Sequence, residues 1–140
     1  MENFLTATTE AGKRFYQDFH DKGKVVMLNL LKYKKEACYD NLESIKPANQ
    51  LSGEEAYKLY LDVTFPLLKK AGSRILFYGK CGSFVIGPEQ EKWDAILLVE
   101  HESVVKFMAF AQSKEYLEIA GHRSAALEDS RLLPINKGEL

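Results

Sequence analysis

Two stretches of this chain alternate as strands do, yet carry apolar side chains on both faces. In VVMLNLLKYK, residues 25 to 34, Val25, Met27, Asn29, Leu31 and Tyr33 share one face and Val26, Leu28 and Leu30 the other. In WDAILLVE, Trp93, Ala95, Leu97 and Val99 alternate with Asp94, Ile96, Leu98 and Glu100. A sheet with helices on one side only should turn a polar face to water. These strands therefore need cover twice over, from helices on one side and from a second layer on the other. The N-terminal segment of the same chain could supply that layer. A twofold copy of the sheet supplies it more economically, because isologous pairs are the commonest oligomers.

Around these strands the other elements fall into order. Phe15 and Phe19 lie four apart behind Thr8 and Thr9 as N-cap candidates, which predicts an added N-terminal helix within an extension over residues 1–23. The domain proper is expected over residues 24–136. Ser52 with Glu55 forms a capping-box pattern, and Tyr57, Tyr60, Thr64, Leu67, Leu68 and Ala71 recur at helical spacing until Gly72. Arg74 to Ile86 reads as a strand with a bulge or coil at Gly79 and Gly82, stopped by Gly87 and Pro88. Ser103 and Ser113 can each cap a helical stretch, and Leu132 to Ile135 reads as a closing strand. The order βαββαβ is that of a ferredoxin-like α+β domain. The polar connection from Lys35 to Leu51 has few apolar anchors and is expected to be mobile, a lid if anything is.

At 140 residues the chain fits one domain with a self-sufficient core. Nineteen basic and twenty acidic residues leave a net charge of −1, so no general attraction to nucleic acid or an anionic membrane is expected. Cys38 and Cys81 are far apart and form no CxxC pair, and no signal peptide or membrane-length apolar run is read. The expectation is a cytoplasmic protein with reduced thiols.

YKLYLDVTFPLLKKAGSRILFYGK at 57 to 80, WDAILLVEHES at 93 to 103 and SKEYLEIAGHRSAALEDSRLLPI at 113 to 135 together resemble the domain of unknown function 1330 family, within the dimeric α/β-barrel superfamily. The match runs over roughly residues 24 to 135. Two departures are Gly72-Ser73 where the family often has Gly-Gly, and Glu102 where it often has Pro. The resemblance implies a ferredoxin-like subunit that pairs sheet to sheet as a homodimer, with a cavity between sheet and helices. It implies no settled activity: the superfamily spans cofactor-free monooxygenases, haem enzymes, isomerases and members without known catalysis, and fold does not choose among them.

The chemistry-bearing residues gather late in the chain. His122 is the candidate acid or base, since an imidazole exchanges protons near neutral pH. Arg123 is the candidate anion clamp, a fork of donors suited to a carboxylate or enolate oxygen. Asn29 interrupts an apolar face and is the candidate oxyanion donor; Asp94, Tyr57 and Arg131 complete the ligand-binding set for a small anionic or carbonyl-containing molecule. The structural alternative stands beside each: Arg123 and Arg131 as partners of Asp94, Glu128 or Asp129, His122 as a helix cap, Asn29 as a satisfied core amide, Tyr57 and Tyr60 as core aromatics. No metal or other cofactor is expected, because His20, His101 and His122 lack zinc-site spacing. The glycines at 79, 82 and 87 match no nucleotide loop, and KCGSFVI at 80 to 86 falls on the wrong strand for RNA recognition. Three readings follow: a cofactor-independent enzyme of monooxygenase or isomerase type, a non-catalytic binder, and a structural or interaction dimer.

Overall fold

The computed structural model describes residues 2–139. The chain runs α1 (Thr9–Phe19), β1 (Val25–Tyr33), α2 (Gly53–Lys70), β2 (Arg74–Lys80), β3 (Ala95–His101), α3 (Val104–Ala111), α4 (Lys114–Ile119), α5 (Gly121–Ala126) and β4 (Leu127–Ile135). The side chains read as caps do cap. Thr8 accepts from Ala11 N, Ser103 from Lys106 N and Ser113 from Tyr116 N, while Ser52 and Glu55 close a reciprocal capping box at α2.

The four strands form one antiparallel sheet in the order β2-β3-β1-β4, the ferredoxin-like arrangement that βαββαβ requires. Burial along β1 and β3 alternates strictly: Val25, Met27, Asn29 and Leu31 are buried with Ala95, Leu97, Val99 and His101, and their neighbours are half-buried. Leu31, Ala95, Leu97 and Val99 of this set form the main core with Ala56, Tyr57, Tyr60, Leu68, Ala125, Ala126 and Leu127, which are contributed by α2, α5 and the start of β4, while Val25 and Met27 form a second cluster with Val104.

Register puts Val26, Leu28 and Leu30 beside Ile96, Leu98, Phe77 and Leu133 on the opposite face. The N-terminal helix does not cover them. Its Phe15 and Phe19 pack on Val25, Met27, Val104, Phe107 and Met108, on the helix side of the sheet. Phe15 meets Phe107 edge-on with ring centroids 5.7 Å apart.

Three local readings change. Strand β2 ends at Lys80, not Ile86: after Cys81 N donates to Asp94 O the ladder stops, and residues 82–90 stand free of the sheet. Strand β4 begins at Leu127, five residues earlier than expected, because pairing with β1 holds a Glu-Asp-Ser stretch of weak strand propensity extended. The connection from Lys35 to Leu51 is anchored at both ends. Ala37 N donates to Leu51 O, Cys38 N to Ala125 O, the Gln50 amide to Ala37 O and Leu51 O, and Ala37 and Tyr39 are buried.

Candidate functional site

Helix α5 is six residues long and sits between α4 and β4, with Ala125 and Ala126 fully buried against α2. Small residues there let the helix come close, and successive side chains on it diverge by about 100°. His122 and Arg123 consequently leave it in different directions.

His122 is buried, and its Nδ1 lies 2.8 Å from the hydroxyl of Tyr39, the two rings meeting edge-on at 5.6 Å. Burial pushes the imidazole pKa below its ordinary value, so the ring is neutral near pH 7 and able to take a proton. Tyr39 comes from the anchored 35–51 connection and was not singled out in the sequence. Beside the pair, a cleft of about 450 Å³ opens between Asn41, Leu42, Ser44 and Ile45 and the helical residues Leu117, Glu118 and Gly121. None of the site residues that the sequence predicts lines it, although His122 directly follows Gly121.

Arg123 donates to Leu5 O at 2.7 Å and to Ser130 Oγ at 3.1 Å, and Ser130 Oγ in turn donates to Phe4 O. The guanidinium thus straps the N-terminal residues to the start of β4. Its charge also reaches the hydroxyls of Tyr57 and Tyr60: burial drives both phenols well up, and Arg123 draws each part of the way back. Tyr57 packs on Tyr33 and Tyr60 at 5.7 and 5.2 Å between ring centroids. The Tyr33 and Tyr78 hydroxyls lie 2.6 Å apart, those of Tyr60 and Tyr116 2.8 Å. Six of the seven tyrosines, all but Tyr16, fall in this one layer between sheet and helices. That concentration of one amphipathic residue type was countable in the sequence, but only the fold brings it together.

Asn29, Asp94 and Arg131 each have partners of their own. Asn29 is buried in the middle of β1, where its amide nitrogen donates to Leu97 O at 3.2 Å and Met27 O at 3.4 Å. Both donors are spent on backbone, and Asn29 sits four residues, roughly 13 Å, along the strand from Tyr33. Asp94 accepts from Tyr33 N at 2.7 Å and caps the end of β1. Arg131 pairs with Asp129 at 2.7 Å and stacks over the rings of Phe4 and Trp93, each 4.9 Å away. Burial would raise the Asp129 pKa, but the Phe4 and Ser130 amides and Arg131 outweigh it and hold the carboxyl below its usual range. His101 forms a separate buried pair, its Nδ1 2.7 Å from Ser73 Oγ under Phe107 and Phe110. A second cleft, about 270 Å³, borders Ser73 with Phe65, Leu68, Lys69, Arg74 and Ile75. Among the described residues no group of three or more His, Cys, Asp or Glu could hold a metal ion, and no helix is long and apolar enough to cross a membrane.

Comparisons with known proteins agree with the geometry. The family described as Domain of unknown function (DUF1330) matches residues 47–135. No curated protein matches the chain. Among solved structures, a protein of unknown function from Rhodopseudomonas palustris superposes with a TM-score of 0.86 at 28% identity, over 99% of this chain and 100% of that one. A dimeric protein of unknown function with a ferredoxin-like fold from Bacteroides fragilis gives 0.51 at 13% identity, over 81% and 96%. The hydroxynitrile lyase of Passiflora edulis gives 0.52 at 18%, over 84% and 97%. At such identities the last two share the fold alone.

Proposed function

The chain belongs to the DUF1330 family, and from that premise we propose that it works as a homodimer whose subunits each bind a small carboxylate- or carbonyl-bearing molecule in the tyrosine-rich layer between sheet and helices. One observation carries the site: α5 presents a neutral imidazole bonded to a phenol and, one residue on, a guanidinium whose charge reaches two buried phenols. A fixed cation and hydroxyl donors suit an anionic or carbonyl oxygen, and a neutral imidazole suits removal of a proton beside it. In this reading His122 is the acid or base, with Tyr39 orienting it; Arg123 and Tyr57 hold the ligand, and a cleft opens at the neighbouring Gly121. The reaction is proton transfer of the kind that opens both isomerase and cofactor-independent monooxygenase chemistry. Asn29, Asp94 and Arg131 are left with structural bonds.

The dimer is supported by a different observation. Val26, Leu28, Leu30, Ile96, Leu98, Phe77 and Leu133 make an apolar face that no helix among the described residues covers, and the Bacteroides fragilis protein of the same fold is dimeric. A second sheet is the partner that matches such a face in shape and chemistry.

The site is tested by incubating the protein in D2O with a panel of short 3-oxo carboxylates and following the C2 proton signals by NMR. Exchange faster than in buffer is expected, lost in His122→Gln and reduced at least tenfold in Tyr57→Phe. No acceleration across the panel, with no change in melting temperature on adding any member, would overturn the reading.

A further inference from the structure

The segment Gly82–Gly87, Gly-Ser-Phe-Val-Ile-Gly, leaves the sheet at the end of edge strand β2 and offers its side chains to water. Val85 is 100% exposed, Ile86 93% and Phe84 45%. Scattered surface apolar residues need no explanation, but three in succession, two of them β-branched and almost wholly bare, form a patch a lone monomer would not keep. The sequence reads the same stretch as strand, a short apolar run of high strand propensity, yet among the described residues it has no strand to pair with.

We infer that Gly82–Gly87 is an arm that docks on a second copy of this chain, closing over the rim of the partner's sheet. The inference rests on the sheet-to-sheet homodimer proposed above and adds to it the residues that lock the pair. Three features favour a second copy as the occupant. The arm continues the same apolar surface: it follows β2, whose Phe77 stands on the uncovered face opposite Leu98 and is itself 56% exposed. The chain also carries what such an arm needs as a target, since Leu133 on the other edge of that face is 56% exposed and apolar too. In an isologous pair, arm and target each occur twice and satisfy each other without any further protein. The root of the arm is firm, with Cys81 N bonded to Asp94 O and the indole of nearby Trp93 bonded to Glu91, so it projects from a fixed point.

The test compares full-length wild type, the double variant Val85→Asp/Ile86→Asp and the face variant Leu98→Arg by sedimentation equilibrium across a dilution series, with circular dichroism to check the fold. The arm side chains touch almost nothing within the chain, so the arm variant should fold with an unchanged melting temperature at concentrations where both proteins are monomeric. Its dimer dissociation constant should rise at least a hundredfold, since each dimer loses four buried aliphatic side chains. If wild type dimerises, Leu98→Arg separates it and the arm variant dissociates as wild type does, the arm inference fails while the dimer stands. If wild type is monomeric at every concentration, both fail. Pelleting with neutral and anionic phospholipid vesicles separates one rival: binding that needs Val85 and Ile86 while dimerisation does not would overturn the inference in favour of a membrane surface.

Discussion

The hydroxyl of Tyr39 lies 2.8 Å from Nδ1 of His122 across 83 residues of sequence, and neither group has another hydrogen-bond partner among the described residues. Tyr39→Phe removes that partner while keeping the ring, so a buried imidazole nitrogen is left unpaired. The expected cost is about 1–2 kcal/mol in a urea titration, without loss of the fold. An unchanged midpoint would mean that water replaces the phenol and that the pair is not closed.

Gly53 opens α2 in the crowded junction where β1, α2 and α5 meet, its N–H donating to Lys34 O. A Cβ there would press on backbone oxygens of both Lys34 and Ala126, atoms that cannot swing aside as a side chain would. Gly53→Ala should therefore destabilise by about 3 kcal/mol or more, although alanine is the better helix former. A midpoint within 1 kcal/mol of wild type would show that the junction has room.

These two sites show how far the sequence could be read. Element order, the caps at Thr8, Ser52, Ser103 and Ser113, and the doubly apolar strands are local or periodic signals, and each was legible. Partnerships such as Tyr39 with His122, Arg123 with Leu5, or Ser73 with His101 join segments 28 to 118 residues apart. Only the folded topology decides them, because a chain advertises residue types and not who meets whom. Strand β2 is shorter than its sequence predicts for the converse reason: Phe84, Val85 and Ile86 have strand propensity, but propensity without a neighbouring strand to bond makes no ladder.

Arg123→Ala should loosen the strap before it unfolds anything. Losing the bonds to Leu5 O and Ser130 Oγ should cost about 1–3 kcal/mol, and amide exchange at Phe4, which donates to Asp129 Oδ1, should accelerate. Ala37 and Cys38, bonded across to Leu51 and Ala125, should stay protected in the same experiment. Fast exchange there in wild type would restore the picture of a mobile connection.

His101 gives stability a pH dependence of known sign. It is 2% exposed, and burial lowers its pKa from 6.5 to about 4. An imidazole depressed in this way is protonated more readily unfolded than folded, so the unfolded state binds more protons between those values and stability falls as pH falls. The contribution is complete above about pH 6.5 and lost by about pH 4, a decline of roughly 3 kcal/mol from this one group. Burial acts on His122 in the same direction. Asp129, Glu100 and Glu55, held below the usual carboxylate range by their bonds, give way only at lower pH. Two acid phases should thus appear in denaturant titrations. His101→Gln, which keeps a polar partner for Ser73 within the Phe107 and Phe110 cage, should flatten the upper phase and leave the lower one. A variant that loses stability between pH 6.5 and 4 as steeply as wild type would show that His101 is protonated in the fold at little cost, and that its cage is open to water.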